Sequence, residues 1–225
     1  MMRLMVVKKV ILLLLLSACA AFANSIIVQS IDASLGMSSV YINQSGTPTS
    51  IYWAGAIDIN VDNFIRQVFC VQLLVDINLG QTYTTTMLFS DTANLKRVGW
   101  LLQNAFPTTA LDGAAFQFAI WDIMEDNGDG MSSGNVAKSS SAANPTPQPL
   151  LDDIAHYEAI SLGQSSNLGV VYHNYSGTTP VQNLMGNPVT DNGPSPVPEP
   201  GTVVLIAGGL TLIGLSRLGR GSRGR

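Results

Sequence analysis

The chain is poor in charge, in cysteine and in histidine. Charged residues make up 12% of its 225 positions and sum to −4, which leaves no basic surface for a nucleic-acid backbone. Most of the Lys and Arg lie near the two ends, so the stretch between them is more acidic and is repelled by anionic surfaces. The two histidines, His156 and His173, stand apart from any cysteine or carboxylate at ligand spacing and point to surface or packing roles. No Ser-His-Asp order, glycine-rich phosphate loop or carboxylate pair occurs at a convincing spacing. The expectation is a protein that is not an enzyme and needs no cofactor. Two cysteines cannot build a disulfide framework.

The ends carry sorting signals. Arg3, Lys8 and Lys9 precede an apolar stretch at 10–16, and Ala21-Phe22-Ala23 supplies an A-x-A cleavage site, so 1–23 reads as a signal peptide. Leu16-Ser17-Ala18-Cys19 also fits a lipoprotein box, which would leave Cys19 lipidated. A second anchor at the far end makes a lipid redundant and favours the A-x-A site. At that end Pro198-Glu199-Pro200 precedes an apolar membrane helix at 202–216, followed by Arg217, Arg220, Arg223 and Arg225. The run is shorter than the roughly 20 residues of a comfortable span. It inserts if Arg217 snorkels and the bilayer thins, and the arginines keep the terminus inside. The segment 197–225 resembles the PEP-CTERM sorting signal of exported proteins in Gram-negative bacteria that make extracellular polysaccharide. That resemblance implies an exosortase, a membrane cysteine protease, as processing partner. It also implies residence in the inner membrane and periplasm by the C-terminal anchor, then at the cell surface or in the extracellular matrix.

About 170 residues remain between these ends, enough for one domain with a real core. From 25 to about 86, short β-rich runs at 26–28, 39–42, 51–53, 57–61, 64–75 and 81–86 alternate with Gly, Pro, Asn and Asp, the pattern of antiparallel strands. The run 64–75 is apolar on both faces and reads as a central strand with Cys70 buried. A helical period follows. Asp91 or Thr92 caps a helix that stops before Pro107, and a second helix runs from 112 to 125 with Phe116, Ile120 and Ile123 on one stripe. The stretch 126–149 reads as a long loop, 150–162 as a third helix, 168–172 as a strand and 178–196 as a linker. The fold class expected is α+β, mainly an antiparallel β sandwich or barrel with two or three packed helices. A signal helix and a membrane helix flank the ectodomain at 24–177.

With Cys19 removed or lipidated, Cys70 is alone. An unpaired thiol in an oxidising compartment forms an intermolecular disulfide, lies buried and inert, or is used up in other chemistry. Phe69-Cys70-Val71 sits on the central strand, and Phe116-Gln117-Phe118-Ala119-Ile120-Trp121 on the second helix. Ile120 and Trp121 share the side of Gln117, and Gly113 and Ala114 leave a gap in the preceding turn that could admit a strand bearing a thiol.

Together these motifs, over roughly 57–129, resemble the thioester domains of Gram-positive surface adhesins. There an aromatic-Cys strand and an apolar-Gln-x-x-apolar-Trp helix supply the halves of an internal Cys–Gln thioester. The resemblance implies Cys70 as the thiol and Gln117 as the acyl donor, with Phe69, Phe116, Ile120 and Trp121 around them and Trp100 helping to exclude water. It also implies an amine-bearing surface or matrix target as partner. Gln72 stands where those domains often have an acid, and the 47-residue separation is short for the family. The bland reading of the same residues is a small buried Cys and a Gln at the edge of a core helix. It corresponds to a non-covalent structural protein of the polysaccharide matrix.

Asp126, Asn127 and Asp129, with Gly128 and Gly130, resemble a calcium loop, since clustered oxygens around turn glycines suit that ion. In the EF-hand register, however, Val136 stands where a bidentate Glu belongs. Such runs are more often simple turns, and no metal site is assigned.

Overall fold

A computed structural model describes residues 24–187. The segments read as a signal peptide (1–23) and as a sorting tail (197–225, with Pro198, Glu199, Pro200, Arg217 and Arg220) lie outside the described residues. Among those described, no helix is long and apolar enough to cross a membrane.

Eight strands and three helices make up this part of the chain, and every strand pairing is antiparallel. The first strand, β1 (Asn24–Gln44), forms a long hairpin with β2 (Thr47–Val61), and β2 forms a second with β3 (Phe64–Cys70). Both turns are two residues long and left-handed throughout, Ser45-Gly46 at φ 49 and 82 and Asp62-Asn63 at φ 52 and 68. This geometry matches the twist of the flanking strands. β4 (Thr82–Phe89) pairs with the start of β1 and with β6 (Val170–Ser176), while β5 (Val136–Lys138) pairs with the end of β1. The last strands are β7 (Thr179–Pro180), on β6, and β8 (Leu184–Gly186), inserted between β3 and β6. The circuit β1, β2, β3, β8, β6, β4 and back to β1 is closed, so these strands leave no free edge around it.

The three helices are α1 (Ala93–Asn104), α2 (Ala110–Asp126) and α3 (Gln148–Ser161). Thr92 Oγ1 caps α1 by accepting from Leu95 N–H, and Thr109 Oγ1 caps α2 by accepting from Asp112 N–H. α2 is buried on every side from Gly113 to Ile123, as a helix apolar all round must be. It packs on β1 and β2 and against α3.

The architecture is α+β and mainly antiparallel, as the sequence implies. Several details differ. The runs at 51–53 and 57–61 are one strand, β2, and β5 lies inside the stretch 126–149 that reads as a loop. The runs at 26–28 and 39–42 belong to one strand, because register shifts after Val28 and Ile31 let it bend without breaking its pairing to β2. The strand beginning at 64 ends at Cys70 rather than 75. Residues 179–186, which composition assigns to a linker, hold β7 and β8. Leu184 and Met185 are fully buried in the sheet, a three-residue signal too short to stand out among Pro, Gly and Asn.

Candidate functional site

Cys70 closes β3. Next to it, Val71 N–H donates to Asn183 O across 3.1 Å on the side of β8. Antiparallel pairing alternates sides, so the N–H and C=O of Cys70 face the other way, towards β2. The β2–β3 ladder has already ended there, at Ile57 opposite Val68, although β2 keeps its pairing to β1 at Gly55 and Gly36. Two buried peptide groups thus lack a strand.

Gln117 supplies what the strand does not. Cys70 N–H donates to Gln117 Oε1 at 2.9 Å, and Gln117 Nε2 donates to Cys70 O at 2.7 Å. The side-chain carboxamide stands in for the peptide of a neighbouring strand. Gln117 is 1% exposed and Cys70 6%, so both bonds are shielded from water.

Close approach of α2 to β1 sets this geometry. A Cβ on Gly113 would lie 2.2 Å from Leu35 O, and one on Gly55 would lie 2.3 Å from the same oxygen. Only glycine lets Leu35 wedge between the helix and β2, and Gln117, one turn beyond Gly113, shares that helix face. The gap that the sequence suggests could take the thiol-bearing strand is therefore filled by the backbone of Leu35. The strand meets the helix one turn further on.

Aromatic residues close the flank. Phe69 alternates away from Cys70, with its ring centroid 4.8 Å from Phe116 and 5.8 Å from Phe106, and Phe116 lies edge-on to Tyr157 at 5.1 Å. Ile120 is fully buried; Trp121 is 4% exposed and packs on Phe118 at 5.3 Å. Trp100 is half-buried against the core. Sequence reasoning gave no role to Gln72. Its Oε1 accepts from Asn183 N–H at 2.8 Å, and its O accepts from Gln182 Nε2 at 2.8 Å, tying β8 to the end of β3. Isolated amides carry no periodic signal, so this clamp is invisible without the fold.

Burial pushes the Cys70 thiol up to about 12, because a thiolate loses its hydration there. The thiol is protonated at neutral pH. The Gln117 carbonyl accepts the Cys70 backbone N–H, which polarises it. The carboxamide is thus held against the backbone of the residue that bears the thiol.

Of the residues read as a calcium loop, Asn127 turns to other work. It ends α2 in the left-handed region at φ 64, its Oδ1 accepts from Asn94 Nδ2 at 3.1 Å, and its O accepts from Arg97 Nη1 at 2.7 Å. Asp126 and Asp129 converge instead with Asp122. No protein family, curated protein or solved structure matches this chain.

Proposed function

We propose that this is an exported cell-surface protein, adhesin-like, in which Cys70 and Gln117 form an internal thioester that attaches it covalently to amines. The reading rests on one observation, the two hydrogen bonds between the Gln117 carboxamide and Cys70. Cys70 Sγ adds to Gln117 Cδ, and its proton passes to Nε2, which leaves as ammonia. Oε1 keeps the Cys70 N–H donor as charge develops on it. A partner amine then forms a C–N bond to Cδ, the C–S bond breaks, and a proton from the amine returns to sulfur. Burial protects the intermediate from water until then.

Export by the signal peptide and processing of the tail by an exosortase complete this reading, with the protein passing from inner membrane and periplasm to surface or matrix. Intact mass of the full chain tests the chemistry. A thioester lowers the mass by one ammonia, and Cys70→Ala abolishes the loss.

A second reading is a non-covalent structural protein of the polysaccharide matrix. It is favoured by the fact that both hydrogen bonds of Gln117 run to the backbone of Cys70, a role that needs no thiol. An unshifted mass in protein never exposed to nucleophile selects it.

A further inference from the structure

Two carboxyl groups meet in the interior where α2 ends. Asp122, on α2, is fully buried and Glu158, on α3, is 8% exposed, and their side chains are hydrogen-bonded to each other. An ionised carboxyl group only accepts, so a hydrogen bond between two of them needs a proton on one. Their surroundings select which. Asp122 Oδ2 accepts Gly130 N–H at 3.1 Å, whereas among the described residues no N–H or hydroxyl group donates to Glu158 Oε1. A donated N–H favours the carboxylate form at Asp122, which leaves the proton on Glu158.

Charge balance points the same way. The charged groups that face the pair are Arg97 from α1, Asp126 at the end of α2 and Asp129 from the turn that follows. Arg97 is itself buried, and its guanidinium donates to Ser161 Oγ, Asn127 O and the main-chain O of Glu158. One buried cation balances one buried carboxylate. A second carboxylate would stand uncompensated, with Asp126 and Asp129 adding repulsion. Burial, the hydrogen bond to Asp122 and the charge of Asp122 push Glu158 up to about 8.

We propose that Asp122 and Glu158 share one proton at neutral pH and form a pH-sensitive clasp between α2 and α3, closed in acid and opened in alkali. When base removes the proton, the hydrogen bond between the carboxyls is lost, and two carboxylates face each other with no donor between them. Glu158 ionises near 4.5 when unfolded and near 8 in the fold. The fold therefore has its full advantage from this proton below pH 4.5 and has lost it once the pH passes about 8. α3 also sets Tyr157 edge-on to Phe116, so the clasp holds the helix that covers one side of that ring. It involves neither Cys70 nor Gln117.

The test is denaturant unfolding of the full chain in detergent from about pH 5 to about pH 9. A chelator is present, so that no cation stands in for the proton where Asp126 and Asp129 converge on Asp122. Wild type should unfold more readily as pH rises, its unfolding constant growing about three- to tenfold per pH unit until the pH passes about 8. Glu158→Gln offers Asp122 an amide N–H at every pH. It should match wild type near the acid end of the range and be the more stable protein at the alkaline end. Infrared spectra of wild type should show a protonated-carboxyl band at neutral pH that vanishes in alkali and is absent from Glu158→Gln. In wild type this band reads the proton even where the variant fails to fold. Parallel unfolding profiles for the two proteins, or no protonated-carboxyl band in wild type at neutral pH, would overturn the clasp and mean that both carboxyls are ionised.

Discussion

Gln117 and Cys70 meet as one peptide meets another: Nε2 donates to the Cys70 carbonyl at 2.7 Å while Oε1 accepts the Cys70 N–H at 2.9 Å. The helix side chain finishes a β-ladder that β2 abandons. It also holds a carboxamide on the residue that carries the chain's only described thiol.

Stability should separate the two residues. Gln117→Met fills similar volume but leaves the N–H and C=O of Cys70 buried and unpaired, at about 1–3 kcal/mol for each group. Cys70→Ala keeps both hydrogen bonds and removes one sulfur, so about 1 kcal/mol is expected. Denaturant unfolding of the two variants measures the order, and equal losses would mean that the pairing contributes little.

Alkali should act through the thiol wherever the thioester has not formed. Cys70 ionises near 9.0 when unfolded and near 12 when folded. The folded state therefore keeps its full advantage below pH 9.0 and loses it as pH rises from there towards 12. Gln117→Met, which cannot form the bond, should lose stability over that window relative to the double variant Cys70→Ala with Gln117→Met. Parallel pH profiles would show that Cys70 is not held neutral by burial.

Gly113→Ala places a methyl 2.2 Å from the Leu35 carbonyl, a backbone contact that cannot rotate away. The helix has to move off β1 and carry Gln117 with it. A loss of about 3 kcal/mol is expected, together with a reduced yield of any ammonia-deficient species. Wild-type stability in this variant would show that α2 is not positioned by the close approach.

Much of this was legible beforehand, and the reasons are local. Thr92 before an apolar period gives α1, Pro107 bounds its end, and the apolar faces of 64–75 give a buried strand holding Cys70, though its end at Cys70 does not show in the pattern. Gln117 stands out in the sequence through its motif with Phe116, Ile120 and Trp121, and its two bonds to the Cys70 backbone need the fold to be seen. The gap at Gly113 was read correctly as close contact but assigned to the wrong strand, since a missing Cβ does not say which backbone fills it. β8 escaped notice because three residues carry no periodicity. The partners of Asp122 escaped because Glu158 comes from a helix 36 positions on, beyond any loop pattern.

Sorting is tested separately. Deletion of 198–225 removes the Pro-Glu-Pro hinge, the apolar run and the arginines, and should release the protein to periplasm or medium. A truncated protein still in the membrane fraction would shift the anchor to a lipid on Cys19.

The most direct measurement is the intact mass of the full chain, purified without reductant or amines, before and after methylamine. The account predicts a mass short by one ammonia, then one methylamine added at Gln117, with neither change in Cys70→Ala. A mass equal to that of the unmodified processed chain, no adduct, and a Cys70 thiol that titrates fully once the protein is denatured would contradict it.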